Sequence, residues 1–335
     1  MEYRVLGRTN LKVSAIGIGV WQLSGPVTLD GKHDGFPDIG LDRAIDIIHA
    51  CQDLGINLID SAEIYGAGEG ELRVGKALKG RRDKWILSAK FGIRKGSQGQ
   101  RIVDVSPKTI QTSIEGTLKR LQTDYVDVYL YHASPDKNSI GEGREVLESL
   151  KRQGKLRFYG ISTNDADTLK QMAESDSASV AMISQSLVTQ APELLSIVKQ
   201  HNLGCFIRGA LQNGLLSGKY FHARPALTEE DIRHTWMNKL KTEQYAAFEK
   251  YIPEGSSMVA IALRYLLDFD TTHSILLGGK SVADYQNAVR AFDLPPFDSE
   301  TKASLEALGK QLQAFYWRSQ LKDKVINKLK KFLVR

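Results

Sequence analysis

The sequence predicts an α/β protein, a (β/α)₈ barrel of the TIM type with an N-terminal β-hairpin and a C-terminal helical extension. Three observations lead there. Eight short apolar runs alternate with eight amphipathic helical patterns, and no long linker or composition break divides them. The 335 residues also exceed the roughly 250 of a bare barrel by an amount that loop insertions can supply.

The opening alternates at Tyr3 and Val5, turns at Arg8-Thr9-Asn10 and alternates again at Leu11 and Val13, the pattern of a short hairpin. Strands are expected at residues 15–20, 57–60, 85–90, 126–131, 158–162, 179–184, 205–208 and 274–277. Helical spacing places helices at 41–54, 70–78, 107–121, 144–152, 166–174, 192–200, 258–267 and 282–292. Start signals punctuate them, such as Ser106 before Pro107 and Asp165 before Ala166. Residues 1–296 thus read as one barrel domain and 297–335 as a helical extension. Stretches 24–39 and 220–256 exceed what the barrel needs and follow strands one and seven. They should lie over the C-terminal mouth, where substrates enter. Trp21, Lys32, His33 and Trp236 are the side chains there suited to contact a substrate.

Composition narrows the class. No apolar stretch approaches the roughly 18 to 20 residues of a membrane span, and Met1-Glu2-Tyr3-Arg4 opens no signal-peptide pattern, so the expected location is the cytoplasm. Cys51 and Cys205 sit in apolar-periodic segments without metal-knuckle or redox spacing, as reduced core residues do. The net charge of +6 resides wholly in residues 318–335, where seven basic side chains face one acid. The rest of the chain is balanced and carries no nucleic-acid footprint. In that tail Leu321, Val325, Leu329, Phe332 and Leu333 recur at helical spacing, giving a basic amphipathic helix over 319–333. Its apolar stripe is expected to pack on the barrel, and peripheral contact with an anionic membrane or a partner is the sharper alternative. Nothing in the sequence points to an oligomeric state.

Two nucleotide motifs fail. Gly70-Glu71-Leu72-Arg73-Val74-Gly75-Lys76-Ala77 has Ala77 where a P-loop needs Ser or Thr, and its leucines and valine give it helical spacing. Gly17-Ile18-Gly19-Val20-Trp21-Gln22 lacks the third glycine of a dinucleotide fingerprint, and no helix opens there. His and Cys show no metal-ligand spacing.

One constellation succeeds. Asp60, Lys90 and His132 end strands two, three and four or directly follow them, and Tyr65 lies in the loop after strand two. Parallel barrel strands all end on one face, so the four should converge. A phenol near pKa 10 is a poor acid at neutral pH unless its phenolate is stabilised. Lys90 would do so, Asp60 would hold Lys90 charged, and a neutral His132 would orient a carbonyl. Taken singly, Asp60 reads as a loop cap, Lys90 as a solvated rim residue and His132 as a core histidine. Their joint placement favours the functional reading.

These motifs resemble the aldo-keto reductase superfamily, in particular its bacterial-type members. The similarity is carried in order by Asp60 to Gly66, Ala89-Lys90-Phe91-Gly92, Asp127 to His132, Gly154 to Ser162, Gly214 to Lys219 and Gly278 to Ser281. It implies interconversion of carbonyl and alcohol by NAD(P)H on a small-molecule substrate, with Tyr65 as general acid or base, Asp60 and Lys90 tuning it and His132 orienting substrate. It further implies Gly19, Val20 and Trp21 at the nicotinamide ribose, and Ser162 and Thr163 at the carboxamide. Arg208, Gly209, Leu211 and Asn213 would follow the pyrophosphate, Lys280, Ser281, Asp284 and Asn287 would surround the adenosine, and Lys219 and Gly278 would also bind the cofactor. Lys280 and Ser281 offer a cation and a hydroxyl to a 2′-phosphate, which favours NADP (NADPH), with NAD possible.

The chain departs from the pattern in two places. The usual Gln and, three residues on, a Tyr that stacks on nicotinamide fall on Met182 and Gln185, so the ring is missing; a one-turn shift makes Gln185 the carboxamide ligand. Gln185 faces the cofactor in either alignment. Arg208-Gly209-Ala210-Leu211 replaces the commoner Tyr-Ser-Pro-Leu. These departures and the basic tail keep two alternatives open: a nicotinamide-sensing regulatory protein with little turnover, and a biosynthetic dehydrogenase running in the oxidative direction.

Overall fold

The computed structural model describes residues 1–224 and 226–313. The hairpin forms first, with β1 (Tyr3–Val5) antiparallel to β2 (Lys12–Ser14) and Tyr3 opposite Ser14. Leu6, Leu11 and Val13 are buried with Leu58, Val128, Val180 and Phe206 of the barrel strands, so the hairpin end closes the N-terminal bottom of the barrel.

The barrel begins at β3 (Ile16–Gly19). A second hairpin, β4 (Pro26–Leu29) with β5 (Lys32–Gly35), intervenes before α1 (Leu41–Asp53), β6 (Leu58–Asp60), α2 (Glu69–Leu78) and β7 (Ile86–Phe91). A third hairpin, β8 (Ile93–Lys95) with β9 (Arg101–Val103), precedes α3 (Pro107–Leu121), β10 (Val126–Tyr131) and α4 (Ile140–Arg152). Then come β11 (Leu156–Ser162), α5 (Ala166–Glu174), β12 (Val180–Ser184), α6 (Pro192–Gln200), β13 (Gly204–Arg208), the one-turn α7 (His234–Met237), α8 (Met258–Leu267), β14 (Ser274–Leu277) and α9 (Val282–Val289). Strands β3, β6, β7, β10, β11, β12, β13 and β14 pair in parallel in that order, and β14 returns to β3 to close the barrel. The expected (β/α)₈ fold and its eight strands are therefore present.

Alternation along the strands sorts the core into two layers. Leu58, Val128, Leu130, Val180, Met182, Phe206 and Leu276 fill the barrel, whereas Ile59, Leu87, Tyr129, Ile161 and Ile207 point outward against the helices. The expected caps hold: Ser106 Oγ accepts from Thr109 N at 3.4 Å and Asp165 Oδ1 from Thr168 N at 2.6 Å. Helix α4 begins at Ile140 rather than 144, led in by a 3₁₀ turn at Lys137–Ser139. Residues 70–77 belong to α2, where Arg73 donates to Leu23 O and Asp38 Oδ1, both at 2.8 Å, and pins the loop after β3.

The two extra hairpins have no counterpart in the sequence reading. Their strands are three or four residues long, and β5 (Lys-His-Asp-Gly) is too polar to show period-two alternation. Residues 299–313 are helical. The basic amphipathic helix expected over 319–333 lies outside the described residues. Among the described residues no helix is long and apolar enough to cross a membrane.

Gly160 on β11 lies opposite Val180 on β12, and a Cβ there would stand 1.8 Å from the Val180 carbonyl oxygen. Gly160→Ala should therefore force the two strands apart and destabilise the protein by more than about 2 kcal/mol, read as a lowered urea midpoint.

Candidate active site

Strand register brings the chemistry together. Gly19 pairs with Asp60, Asp60 with Ser88, and Lys90 with Leu130, so the C-terminal ends of β3, β6, β7 and β10 form one sector of the rim. Asp60 and Lys90 form an ion pair with side chains only 4% and 1% exposed. Ser88 Oγ donates to Asp60 Oδ1 at 2.9 Å, and Lys90 Nζ also donates to Ser61 O at 3.0 Å. Lys90 Nζ stands 4.9 Å from the centre of the Tyr65 ring. The Tyr65 and His132 rings meet edge to face at 5.8 Å, and Trp21 stacks on Tyr65 at 6.0 Å. His132 N donates to Phe91 O at 2.8 Å, fixing the residue just past β10. All four residues of the expected constellation line one cavity of about 900 Å³ at the C-terminal mouth.

Tyr65 is held there by a turn that needs glycine. Gly66 has φ +58°, and a Cβ on it would lie 2.1 Å from Ser24 O, so the loops after β3 and β6 are in direct contact.

Electrostatics divides the labour. Burial works against the Lys90 ammonium, but Asp60 and Tyr65 outweigh it and keep Lys90 above its ordinary value. Burial raises the Asp60 carboxyl against the pull of Lys90. For Tyr65, too, burial dominates: Lys90 and Arg208 pull the phenol down and Asp60 pushes it up, and the net shift is upward. The expectation that Lys90 lowers Tyr65 is right for that one interaction, but desolvation of a phenolate overrides it. Tyr65 is thus protonated at neutral pH. Burial, followed by the charges of Lys90, Arg208 and Arg101, holds His132 well below its ordinary value, so it is neutral.

From this floor the cavity extends along the ends of β11 to β14. Among the expected cofactor residues, Gly19, Trp21, Ser162, Arg208, Gly209, Leu211, Asn213, Lys219, Gly278, Lys280, Asp284 and Asn287 line it. Val20, Thr163, Gln185 and Ser281 do not. Val20 is buried in the core. Thr163 Oγ1 accepts from Asp165 N at 3.0 Å, and Ser281 Oγ caps α9 by accepting from Asp284 N at 3.3 Å. Gln185 is 1% exposed, and it is Met182 and Ser184 of the same segment that reach the cavity. A residue just past a strand end can turn either way, and here it is buried away from the cavity.

The residues present fit a nicotinamide dinucleotide. Arg208 engages no carboxylate among the described residues, and its buried Nε has no hydrogen-bond partner. Beyond it, Gly209, Gln212, Asn213 and Gly214 take left-handed conformations, and the Gln212 and Gly214 N–H groups donate to Gly209 O and Leu211 O at 2.9 Å, which closes a tight turn beside Arg208. The His132 Nδ1 atom is likewise buried without a partner.

The 24–39 and 220–256 stretches both reach the mouth as expected, but their joining into a belt over the groove had no signal in the sequence. Ile232 N donates to Gly35 O at 2.9 Å, joining the 220–256 stretch to β5. Asp231 accepts from Arg233 at 2.7 Å and from Lys280 at 3.4 Å, and Lys280 Nζ sits 4.6 Å over the Phe36 ring. Asp34, Phe36 and Arg101 also line the cavity, whereas Lys32, His33 and Trp236 do not. Nothing in Lys32-His33-Asp34 marked Asp34 in advance, since all three side chains are polar and show no alternation.

The fold defines a class, a (β/α)₈ barrel with a buried Asp60–Lys90 pair beside Tyr65 and His132 at its mouth. Comparison with known proteins supplies the family. The model of the aldo/keto reductase family matches residues 15–310, and the chain belongs to that family. It is 28% identical over 93% of its length to the uncharacterized oxidoreductase YqkF of Bacillus subtilis, spanning 97% of that protein. An NADH-specific methylglyoxal reductase of Escherichia coli is 32% identical over 64% of this chain and 68% of its own. Among solved structures, the holo form of aldo-keto reductase AKR11C1 from Bacillus halodurans superposes with a TM-score of 0.77 at 28% identity, covering 92% of this chain and 96% of that one.

The buried histidines give a pH signature. Unfolded histidine titrates near 6.5, whereas burial holds His132 well below that value and takes His273 down to about 4. Below pH 6.5 the unfolded chain therefore binds protons that the native protein refuses, so stability falls as the pH drops from about 6.5 towards 4, by about 1.4 kcal/mol per pH unit for each histidine. His132→Asn should flatten that slope by up to one proton's worth in urea titrations. A slope identical to that of the parent protein would show that His132 is not buried neutral.

Proposed function

We propose that the protein is an NADPH-preferring carbonyl reductase that moves hydride reversibly between nicotinamide and an aldehyde or ketone, with Tyr65 as the general acid and base. The buried Asp60–Lys90 pair beneath a protonated Tyr65, beside a neutral His132, carries the reading.

The bound nicotinamide supplies the hydride. The protein's own part is proton management. His132 orients the carbonyl oxygen toward the Tyr65 hydroxyl, and the apolar wall of Trp21 and Phe36 limits water. As the oxygen gathers charge, Tyr65 gives up its proton, and Lys90 stabilises the phenolate left behind. Asp60, satisfied by Ser88, keeps Lys90 charged and in place. The reverse reaction uses the same groups, with the phenolate accepting the alcohol proton. Arg208, with the turn at Gln212 to Gly214 beside it, would hold the pyrophosphate through its guanidinium, Ser162 the carboxamide end, and Gly278, Asp284 and Asn287 the adenosine. Lys280, with Lys219 nearby, supports a 2′-phosphate and hence NADPH, although one relative is named as NADH-specific. Two free buried cysteines support a cytoplasmic location.

Oxidation of NADPH, followed at 340 nm with a panel of aldehydes and ketones, tests the reading. Tyr65→Phe should lower kcat by about 100-fold or more while NADPH still binds, because only proton transfer is removed. Tight NADPH binding without turnover on any carbonyl or alcohol would favour a sensor instead. Lys280→Ala should raise the KM for NADPH by about tenfold and leave that for NADH nearly unchanged, and equal effects on both would remove the basis for NADP preference.

A further inference from the structure

Two cations in the cavity, Arg101 and Arg233, have no task in this mechanism, and Arg233 is committed to Asp231 and the Asn213 carbonyl. Arg101, the first residue of β9, lines the cavity on the side of the β4–β5 and β8–β9 hairpins, away from the segments suited to the cofactor. Its charge reaches the reacting centre, since it is one of the three that hold His132 neutral. The lining also includes the apolar side chains of Trp21, Phe36, Ile64 and Ile93, and Trp21 stacks on Tyr65 and meets Phe36 edge to face.

The position of Arg101 is built rather than incidental. Its guanidinium is ion-paired through Nη2 with Asp34 of β5, its backbone N–H donates to Asp30 Oδ1 at 3.0 Å, and Asp30 N donates to Gly99 O at 3.0 Å. The two hairpins are thereby clamped together around one side chain. Asp34 is 16% exposed and Arg101 37%, so the carboxylate is largely covered while the guanidinium keeps an open edge. An arginine has five N–H donors, and among the described residues Asp34 is the only side chain that Arg101 bonds, which leaves donors for a second acceptor.

We propose that Arg101 is a specificity residue that receives an anionic group, a carboxylate or phosphate ester, at the far end of a carbonyl substrate whose apolar middle lies along Ile64 and Ile93. Asp34 aims the guanidinium and prevents it from collapsing onto the wall. This assignment rests on the carbonyl-reductase reading above.

Two matched pairs test it: 4-carboxybenzaldehyde against methyl 4-formylbenzoate, and glycolaldehyde phosphate against glycolaldehyde. The unmodified protein should show a kcat/KM at least tenfold higher for the anion in one pair or both, with the advantage carried by KM, and the favoured pair identifies the anion. Arg101→Met should reduce that ratio tenfold or more, and Arg101→Lys should retain part of it. Equal or better use of the neutral partners by the unmodified protein would overturn the assignment while leaving the reductase reading intact, and this measurement needs no variant. Equal losses on both members of a pair in Arg101→Met would overturn it as well. Absence of NADPH oxidation with all four compounds would overturn this assignment, and the reductase reading falls only if the wider panel of aldehydes and ketones also fails.

Discussion

The structure turns on a buried ion pair. Withdrawing Lys90 and Asp60 from water costs several kcal/mol per ion, and a hydrophobic pair of similar volume would be at least as stable. The pair's value is therefore electrostatic. It fixes a positive charge under Tyr65 that cannot be neutralised by solvent. The pair is also fully supplied with partners: Ser88 satisfies one carboxylate oxygen and the Ser61 carbonyl takes a second ammonium proton. Removing either ion alone would strand the other, so both are required together.

The barrel exists in that form so that this pair has neighbours. Parallel strands end on one face, and the register of β6 against β7 sets Asp60 beside Ser88, two residues before Lys90 on the same inward-facing side. The apolar filling below, from Leu58 to Phe206, and the hairpin across the bottom keep water from the lower side of the pair. Above it, contact between the loops at Gly66 and Ser24 and the Arg73 bonds to Leu23 and Asp38 fix the phenol-bearing segment. The reactive end is thus assembled from four separate strands and loops, each secured by backbone contacts to its neighbour.

The sequence made legible what depends on strand ends. Asp60, Lys90 and His132 follow apolar runs, and parallel topology forces such positions together whatever the loops do. It revealed far less where a side chain's direction is decided by loop geometry. Gln185 lies one residue beyond β12 and turns away from the cavity, while Met182 and Ser184 face it. Ser281, expected at a 2′-phosphate, lies outside the cavity lining, and its Oγ accepts from Asp284 N at the cap of α9. Asp34 and Arg101 were invisible for a related reason. Their hairpins are too short and too polar for periodicity, and their pairing joins residues 67 positions apart. Lys280 was visible, yet its contacts with Asp231 and Phe36 depend on a loop without regular structure.

The charge state of Tyr65 shows how far residue chemistry alone can mislead. An ammonium beside a phenol suggests a lowered pKa and a partly ionised acid. In this site burial exceeds that attraction, so the resting group is a neutral phenol. That is the state a proton donor needs before reaction, because a phenolate could only accept. Lys90 then acts where it matters most, on the charge that develops during transfer, which is stronger in a dry site than the same contact would be in water. His132, kept neutral by the same cations, can hydrogen-bond the substrate oxygen without offering a competing, more acidic proton. Desolvation and fixed charge therefore act in sequence: the first keeps the proton on Tyr65 until a substrate oxygen needs it, and the second lowers the cost of releasing it.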